Sequence, residues 1–138
     1  MIKTILVFAL VLLFSGAFAQ RLNKGTLFGV HTITVSLNPN VTMDQFASFF
    51  IKKVLPEYES HWIGLNGYLL RSFKDTNSFA IVWQFKSVKA RNRYFTRDDR
   101  PNELEKANYE KVKPVEEELR KYGSYTVKYM DADDWVVQ

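Results

Sequence analysis

Stretches of strand-like and helix-like periodicity follow one another in the order β-α-β-β-α-β, and the two middle strands are joined by a tight connection through Lys74-Asp75-Thr76-Asn77. That order predicts an α+β domain, a four-stranded antiparallel sheet with its helices on one face. This is the ferredoxin-like split βαβ arrangement, which leaves the second face of the sheet open. No low-complexity linker, internal repeat or second domain interrupts the pattern, so residues 20–138 are expected to form one domain.

Leu27–Leu37 reads as the first strand. Its odd positions His31, Ile33, Val35 and Leu37 form a mostly apolar face, while Thr32, Thr34 and Ser36 form a small, hydroxyl-bearing one. Asn38-Pro39-Asn40 breaks it. Thr42 then starts a helix, and Gln45 three residues on completes a capping box. Met43, Phe46, Ala47, Phe50 and Val54 recur at helical spacing as one face against a sheet. Phe49, Ile51 and Leu55 widen that stripe toward a second surface, and Pro56 marks the end of the helix.

Residues 66–72 and Ser78–Phe85 make a hairpin across Lys74-Asp75-Thr76-Asn77. In the second strand Phe79, Ile81, Trp83 and Phe85 share one face, and Ser78, Ala80, Val82 and Gln84 the other. Both are nearly free of charge, as in a central strand covered on both sides. Ser87 caps a short helix over 88–95. A charged loop leads to Pro101, Asn102 and a longer helix ending at Tyr122, closed by Gly123. Leu104, Ala107, Val112, Val115 and Leu119 keep helical phase across Pro114, which predicts one kinked helix. Residues 124–130 form the last strand, with Tyr125, Val127 and Tyr129 on one face. The tail ends in Trp135-Val136-Val137, apolar enough to be expected to dock by burying Trp135.

The first nineteen residues read as an export signal. Lys3 gives the positive n-region, Ile5 to Phe14 the apolar h-region, and Ala17 and Ala19 the small-residue cleavage site, so that Gln20 begins the mature chain. The apolar run is far shorter than the roughly 20 residues of a membrane-spanning helix. A periplasmic or extracellular location with no membrane span is the expectation. Without those residues the chain carries 18 basic and 15 acidic side chains, interleaved along the helical stretches. That balance lacks the basic excess of a polyanion binder. There is no cysteine, so an exported domain of this kind relies on its core or on a partner chain. Beyond the signal, 8 of the 11 Phe and all 7 Tyr and 3 Trp remain, many of them on strands, where they can fill that core or line a pocket.

Several features together resemble the dimeric α/β barrel superfamily, the group that contains antibiotic-biosynthesis-type monooxygenases. They are the strand Gly29-Val30-His31-Thr32-Ile33-Thr34-Val35, the turn and cap Asn38-Pro39-Asn40-Val41-Thr42, Phe46, the hairpin, and the segment Ser87-Val88-Lys89-Ala90-Arg91-Asn92-Arg93-Tyr94-Phe95. The resemblance spans nearly all of 27–130. It implies a homodimer in which two sheets pair face to face, and a pocket between sheet and helices in each subunit. Members include cofactor-free oxygenases, haem-degrading and haem-binding enzymes, isomerases and non-catalytic proteins, so the fold does not select a reaction. Haem enters only by this resemblance, for no residue pattern here names a cofactor.

His31 is the leading candidate for chemistry, as a proton-transfer group or axial ligand in a pocket. The alternative is a histidine simply satisfied by a backbone carbonyl. Trp62, Asn66, Tyr68 and Trp83 are the other candidate ligand-binding residues, and Trp83 equally suits plain core. His61 reads as a loop residue, and two histidines thirty residues apart without cysteine lack metal-ligand spacing. Glu57, Glu59, Asp98 and Asp99 lie in charged, solvated segments where nothing would raise a carboxyl pKa. No phosphate loop, G-x-S-x-G or H-E-x-x-H is present.

The basic run Lys86, Lys89, Arg91, Arg93, Arg97 and Arg100 invites a nucleic-acid reading, since the RNA-recognition motif shares this element order. Its third-strand signature is broken here, where Asn77-Ser78-Phe79-Ala80-Ile81-Val82-Trp83-Gln84 lacks the leading base, the Gly and two stacking aromatics. Nucleic acid is therefore not an expected partner. Two expectations remain. One is a small-molecule-binding domain, monooxygenase-like, taking an apolar or aromatic ligand. The other is a non-catalytic interaction or assembly module using the open sheet face and the C-terminal tail.

Overall fold

The computed structural model describes residues 22–128 and 134–138. The export signal expected at 1–19, and Tyr129 and Met130 of the expected last strand, lie outside them. β1 (Leu27–Leu37) is the central strand. It pairs antiparallel with β3 (Ser78–Phe85) along one edge and with β4 (Gly123–Lys128) along the other, and β2 (Leu65–Arg71) flanks β3. The strand order β2-β3-β1-β4, together with the connections, is the ferredoxin-like topology. Side chains alternate, so Leu27, Ile33 and Val35 lie beside Phe79, Ile81 and Phe85 on the helix-covered face, all of them buried. Phe28, Val30, Thr32 and Thr34 lie beside Gln84, Val82, Ala80 and Ser78 on the other face, as the alternation predicts.

The first helical segment is α1 (Met43–Phe49), with the capping box in place. Gln45 N–H donates to Thr42 Oγ1 at 3.2 Å, and Thr42 N–H to Gln45 Oε1 at 2.8 Å. Pro56 does not end the helix. A single π turn (Phe50–Val54) leads into α2 (Leu55–His61), and Pro56 occupies the first turn of α2. Proline lacks an N–H and collides with the carbonyl four residues back in a regular helix. The π turn re-phases the ladder just before it and leaves proline at a helix-start position, where no donor is required. Phe46, Phe49, Phe50, Val54 and Leu55 all reach the core as a result, while Ile51 stays exposed.

α3 (Val88–Arg91), capped by Ser87, is shorter than the expected 88–95, because the chain turns at Asn92 and Phe95 bridges to Pro101. α4 (Glu103–Leu119) starts at its Asn102 cap, where Glu105 N–H donates to Asn102 Oδ1 at 3.0 Å. It runs unbroken through Pro114. Gly123 opens β4 instead of closing α4. A Cβ at Gly123 would stand 2.5 Å from the Ser36 carbonyl oxygen, so only glycine lets β4 begin against the end of β1.

The C-terminal tail is a strand, β5 (Asp134–Val136), on the same edge of β1 as β4, with Leu27, Phe28 and Gly29 opposite Val136, Trp135 and Asp134. Gly25 N–H donates to Val137 O and Val137 N–H to Thr26 O, each at 2.9 Å. Backbone pairing orders the tail, and burial of Trp135 does not: its side chain is 64% exposed, beside Phe28 on the open face. Two apolar clusters form the core. One holds Phe46, Phe50, Val54, Phe79 and Leu119; the other holds Leu27, Trp62, Phe85, Tyr94 and Val112. Among the described residues no helix is long and apolar enough to cross a membrane.

Candidate functional site

The register divides the sequence candidates between the two faces of the sheet. His31 and Trp83 lie on the helix side, and Asn66 and Tyr68 on the open side, because Asn66 pairs with Gln84 and Tyr68 with Val82. Tyr68 donates from its hydroxyl to Gln84 Oε1 at 2.8 Å and is 45% exposed. Trp62 is buried in the second core cluster. His31 and Trp83 thus share one face, Trp83 packs against the cluster that holds Trp62, and Asn66 and Tyr68 serve the opposite surface.

Trp83 owes its position to two glycines. Gly29 and Gly67 are its partners in β1 and β2. A Cβ on Gly67 would stand 2.8 Å from Trp83 Cζ3 and 2.8 Å from Leu55 Cδ2, so the bare backbone lets the indole lie across β2. Tyr58 covers the indole with ring centroids 4.9 Å apart, and its other neighbour is Trp62 at 5.1 Å. Toward β1, the Cβ of Trp83 and Nε2 of His31 both approach the Gly29 backbone. Trp83 therefore reaches from the Gly29 position of β1 to Tyr58. Both His31 and Trp83 keep partial exposure, which a plain core residue would lack.

Tyr58 brings in a carboxylate absent from the sequence reading. Its hydroxyl donates to Glu116 Oε1 at 2.5 Å, and Tyr125 OH donates to the same oxygen at 3.4 Å. Burial pushes the Tyr58 phenol far above its ordinary range, and the neighbouring Glu116 charge adds to this. Glu116 also raises Tyr109, with burial as the second cause. Tyr58 is consequently a fixed donor and not a phenolate. Glu116 sits four residues beyond the buried Val112, at the edge of the inward stripe of α4. Tyr58 sits four beyond the buried Val54. Those spacings are the only sequence signal for the pair, and the run Glu116-Glu117-Glu118 masks it.

An alkaline stability loss follows. The folded state holds the Tyr58 proton, whereas the unfolded state releases it near pH 10. Above that pH the unfolded chain binds fewer protons, so stability falls as pH rises. Tyr58→Phe should flatten this decline, as read from urea midpoints at pH 8 and at pH 11.

Three of the four carboxylates considered from sequence, Glu57, Glu59 and Asp99, have structural partners. Glu57 lies 3.2 Å from His61 Nε2, and Glu59 Oε1 accepts the Gly67 N–H at 2.7 Å. His61 ends α2 rather than sitting in a loop, and its carbonyl accepts from Asn108 Nδ2 at 2.7 Å. Arg91, part of the basic run that invited a nucleic-acid reading, is buried and paired with Asp99. Among the described residues no cluster of three or more His, Asp or Glu is arranged to hold a metal ion. On the open face a groove of about 330 Å³ is lined in part by Thr32, Thr34, Leu70, Ser78 and Lys128.

No protein-family model matches the chain, and no curated protein matches it. Among solved structures it is similar to a single-residue mutant of SnoaB, a cofactor-independent oxygenase from Streptomyces nogalater, with 15% identity over 78% of this chain and 94% of that one and a TM-score of 0.47. A protein from Chloroflexus aurantiacus, named for antibiotic biosynthesis monooxygenase, is similar at 11% identity over 78% and 94% with a TM-score of 0.42. A dimeric protein of ferredoxin-like fold from Bacteroides fragilis follows at 16% identity over 82% and 97% with a TM-score of 0.31.

Proposed function

We propose that this chain is an exported domain that binds a small, mostly apolar or aromatic molecule at the helix–sheet seam around Trp83, as a homodimer paired through its open sheet faces. The observation that carries the ligand reading is the partly buried indole on the face of His31, covered by the Tyr58–Glu116 pair. It offers a planar apolar wall with an imidazole at one end and a carboxylate at the other. A flat ring with a donor group suits such a surface. The residues also suit monooxygenase-like chemistry, in which His31 would take a proton from the ligand.

A fluorescent naphthalene sulfonate probe tests the seam. Saturable binding at one probe per chain is expected, weakened at least tenfold in His31→Ala and unchanged in Tyr68→Ala. Loss in Tyr68→Ala with His31→Ala unaffected would move the site to the open face and overturn the reading, with near-ultraviolet circular dichroism confirming that both variants are folded. A second reading, a non-catalytic interaction module, draws on Tyr68, Leu70 and Trp135, large apolar side chains exposed on the open face.

A further inference from the structure

β4 covers the edge of β1 from Thr32 to Leu37, and the C-terminal strand β5 covers Leu27 to Gly29 on that same edge. All three residues of β5 are exposed, so apolar burial gives the strand little of its hold. Backbone bonds supply some of it. The ladder to β1 is extended by Gly25 N–H donating to Val137 O and Val137 N–H to Thr26 O. A short terminal segment with nothing more than such bonds frays readily.

The first residue of β5 adds a fixed point. Asp134 Oδ2 lies 3.2 Å from Nε of Arg91, the last residue of α3. Arg91 is buried and held from several sides. Its Nη1 donates to the Thr96 carbonyl at 2.6 Å, its Nη2 pairs with Asp99, and its guanidinium lies 5.0 Å from the centre of the Phe95 ring. A guanidinium immobilised in this way points Nε in a set direction, and a carboxylate that reaches it is fixed with it. With one partner buried, the pair is less screened than an ion pair at the surface, and a broken pair leaves a buried charge short of a partner.

We propose that β5 is a strap locked by the Arg91–Asp134 ion pair, and that it keeps the Gly25–Gly29 edge of β1 from pairing with a second copy of this chain. An unpaired strand edge presents a row of N–H and C=O groups in the plane of the sheet, and a covering segment removes that template. The partner is a second copy because the bared edge is present in every chain, and two such edges pair antiparallel about a two-fold axis. This contact lies in the plane of the sheet and is distinct from pairing between open faces.

Amide hydrogen exchange of the full chain reads the lock, and sedimentation reads the edge. In Asp134→Ala the Gly25 and Val137 amides are expected to exchange about tenfold faster or more, the scale of losing a hydrogen bond to a charged group. The Asn38 amide, which donates to Tyr122 O at 3.0 Å near the far end of the same edge, is expected to keep its rate. A chain ending at residue 133 is expected to sediment as larger species than the full chain. Both are compared with Val82→Lys in place, where a lysine on the open face opposes face-to-face pairing. Unchanged rates at Gly25 and Val137 in Asp134→Ala, or an equal rise at Asn38, would overturn the lock. A truncated chain that sediments like the full one would overturn the guarded edge.

Discussion

Val82→Lys is expected to convert a dimer into a monomer. Val82 stands in the middle of the open face, between Val30 of β1 and Tyr68 of β2. Around it the face carries Phe28, Thr32, Thr34, Ala80, Leu70, Trp135 and Thr126, which are apolar or small. Two such faces can approach to about 10 Å, the ordinary separation of packed sheets. A lysine at the centre would bury an unpaired ammonium on each side of the interface, at a cost of several kcal/mol. Sedimentation at micromolar concentration should give a dimer for the unaltered chain and a monomer for the variant. A monomer for both would remove face-to-face pairing and leave the ferredoxin-like subunit on its own.

Phe46→Ala is expected to cost about 3–5 kcal/mol, the usual penalty for emptying a fully buried aromatic site. Phe46 has no exposure, and its ring lies 6.2 Å from Phe50 and 6.3 Å from Phe79, so it joins the first helical segment to the central hairpin. Neighbours held by a π turn and two strands have little freedom to collapse into the space. A domain stabilised by about 5–15 kcal/mol would lose a large share of that stability. Urea denaturation measures it; a loss below about 1 kcal/mol would mean that Phe46 is not at the centre of the core.

Much of the fold was legible because local signals agreed with the tertiary solution. The bounds of β1 and β3 follow directly from their alternation, the capping box at Thr42 starts the first helix, and Val112, Val115 and Leu119 of α4 keep inward phase across Pro114. Leu104 and Ala107 of the expected stripe are exposed, whereas Asn108 is buried in their turn. Pro56 misled because a π turn, which leaves no pattern in the residues, can carry a helix past a proline. Gly123 misled because a glycine after a helix looks like a cap, whereas here the close approach of Ser36 requires it. At the site, the periodicity of β1 and β3 marked His31 and Trp83. The face taken by Asn66 and Tyr68 depends on the register of the hairpin, which the turn alone does not set. Glu116 and Asp134 look like solvated surface charges. Only helix docking and strand pairing across more than fifty residues of chain bring them to Tyr58 and over Gly29.

The central claim is that the seam around Trp83 holds a small molecule, and native mass spectrometry of the protein isolated from its own host tests it most directly. The expected spectrum shows a dimer of chains beginning at Gln20, each with a non-covalent mass of a few hundred daltons that is lost in His31→Ala. Bare chains in both proteins, after gentle isolation, would contradict it.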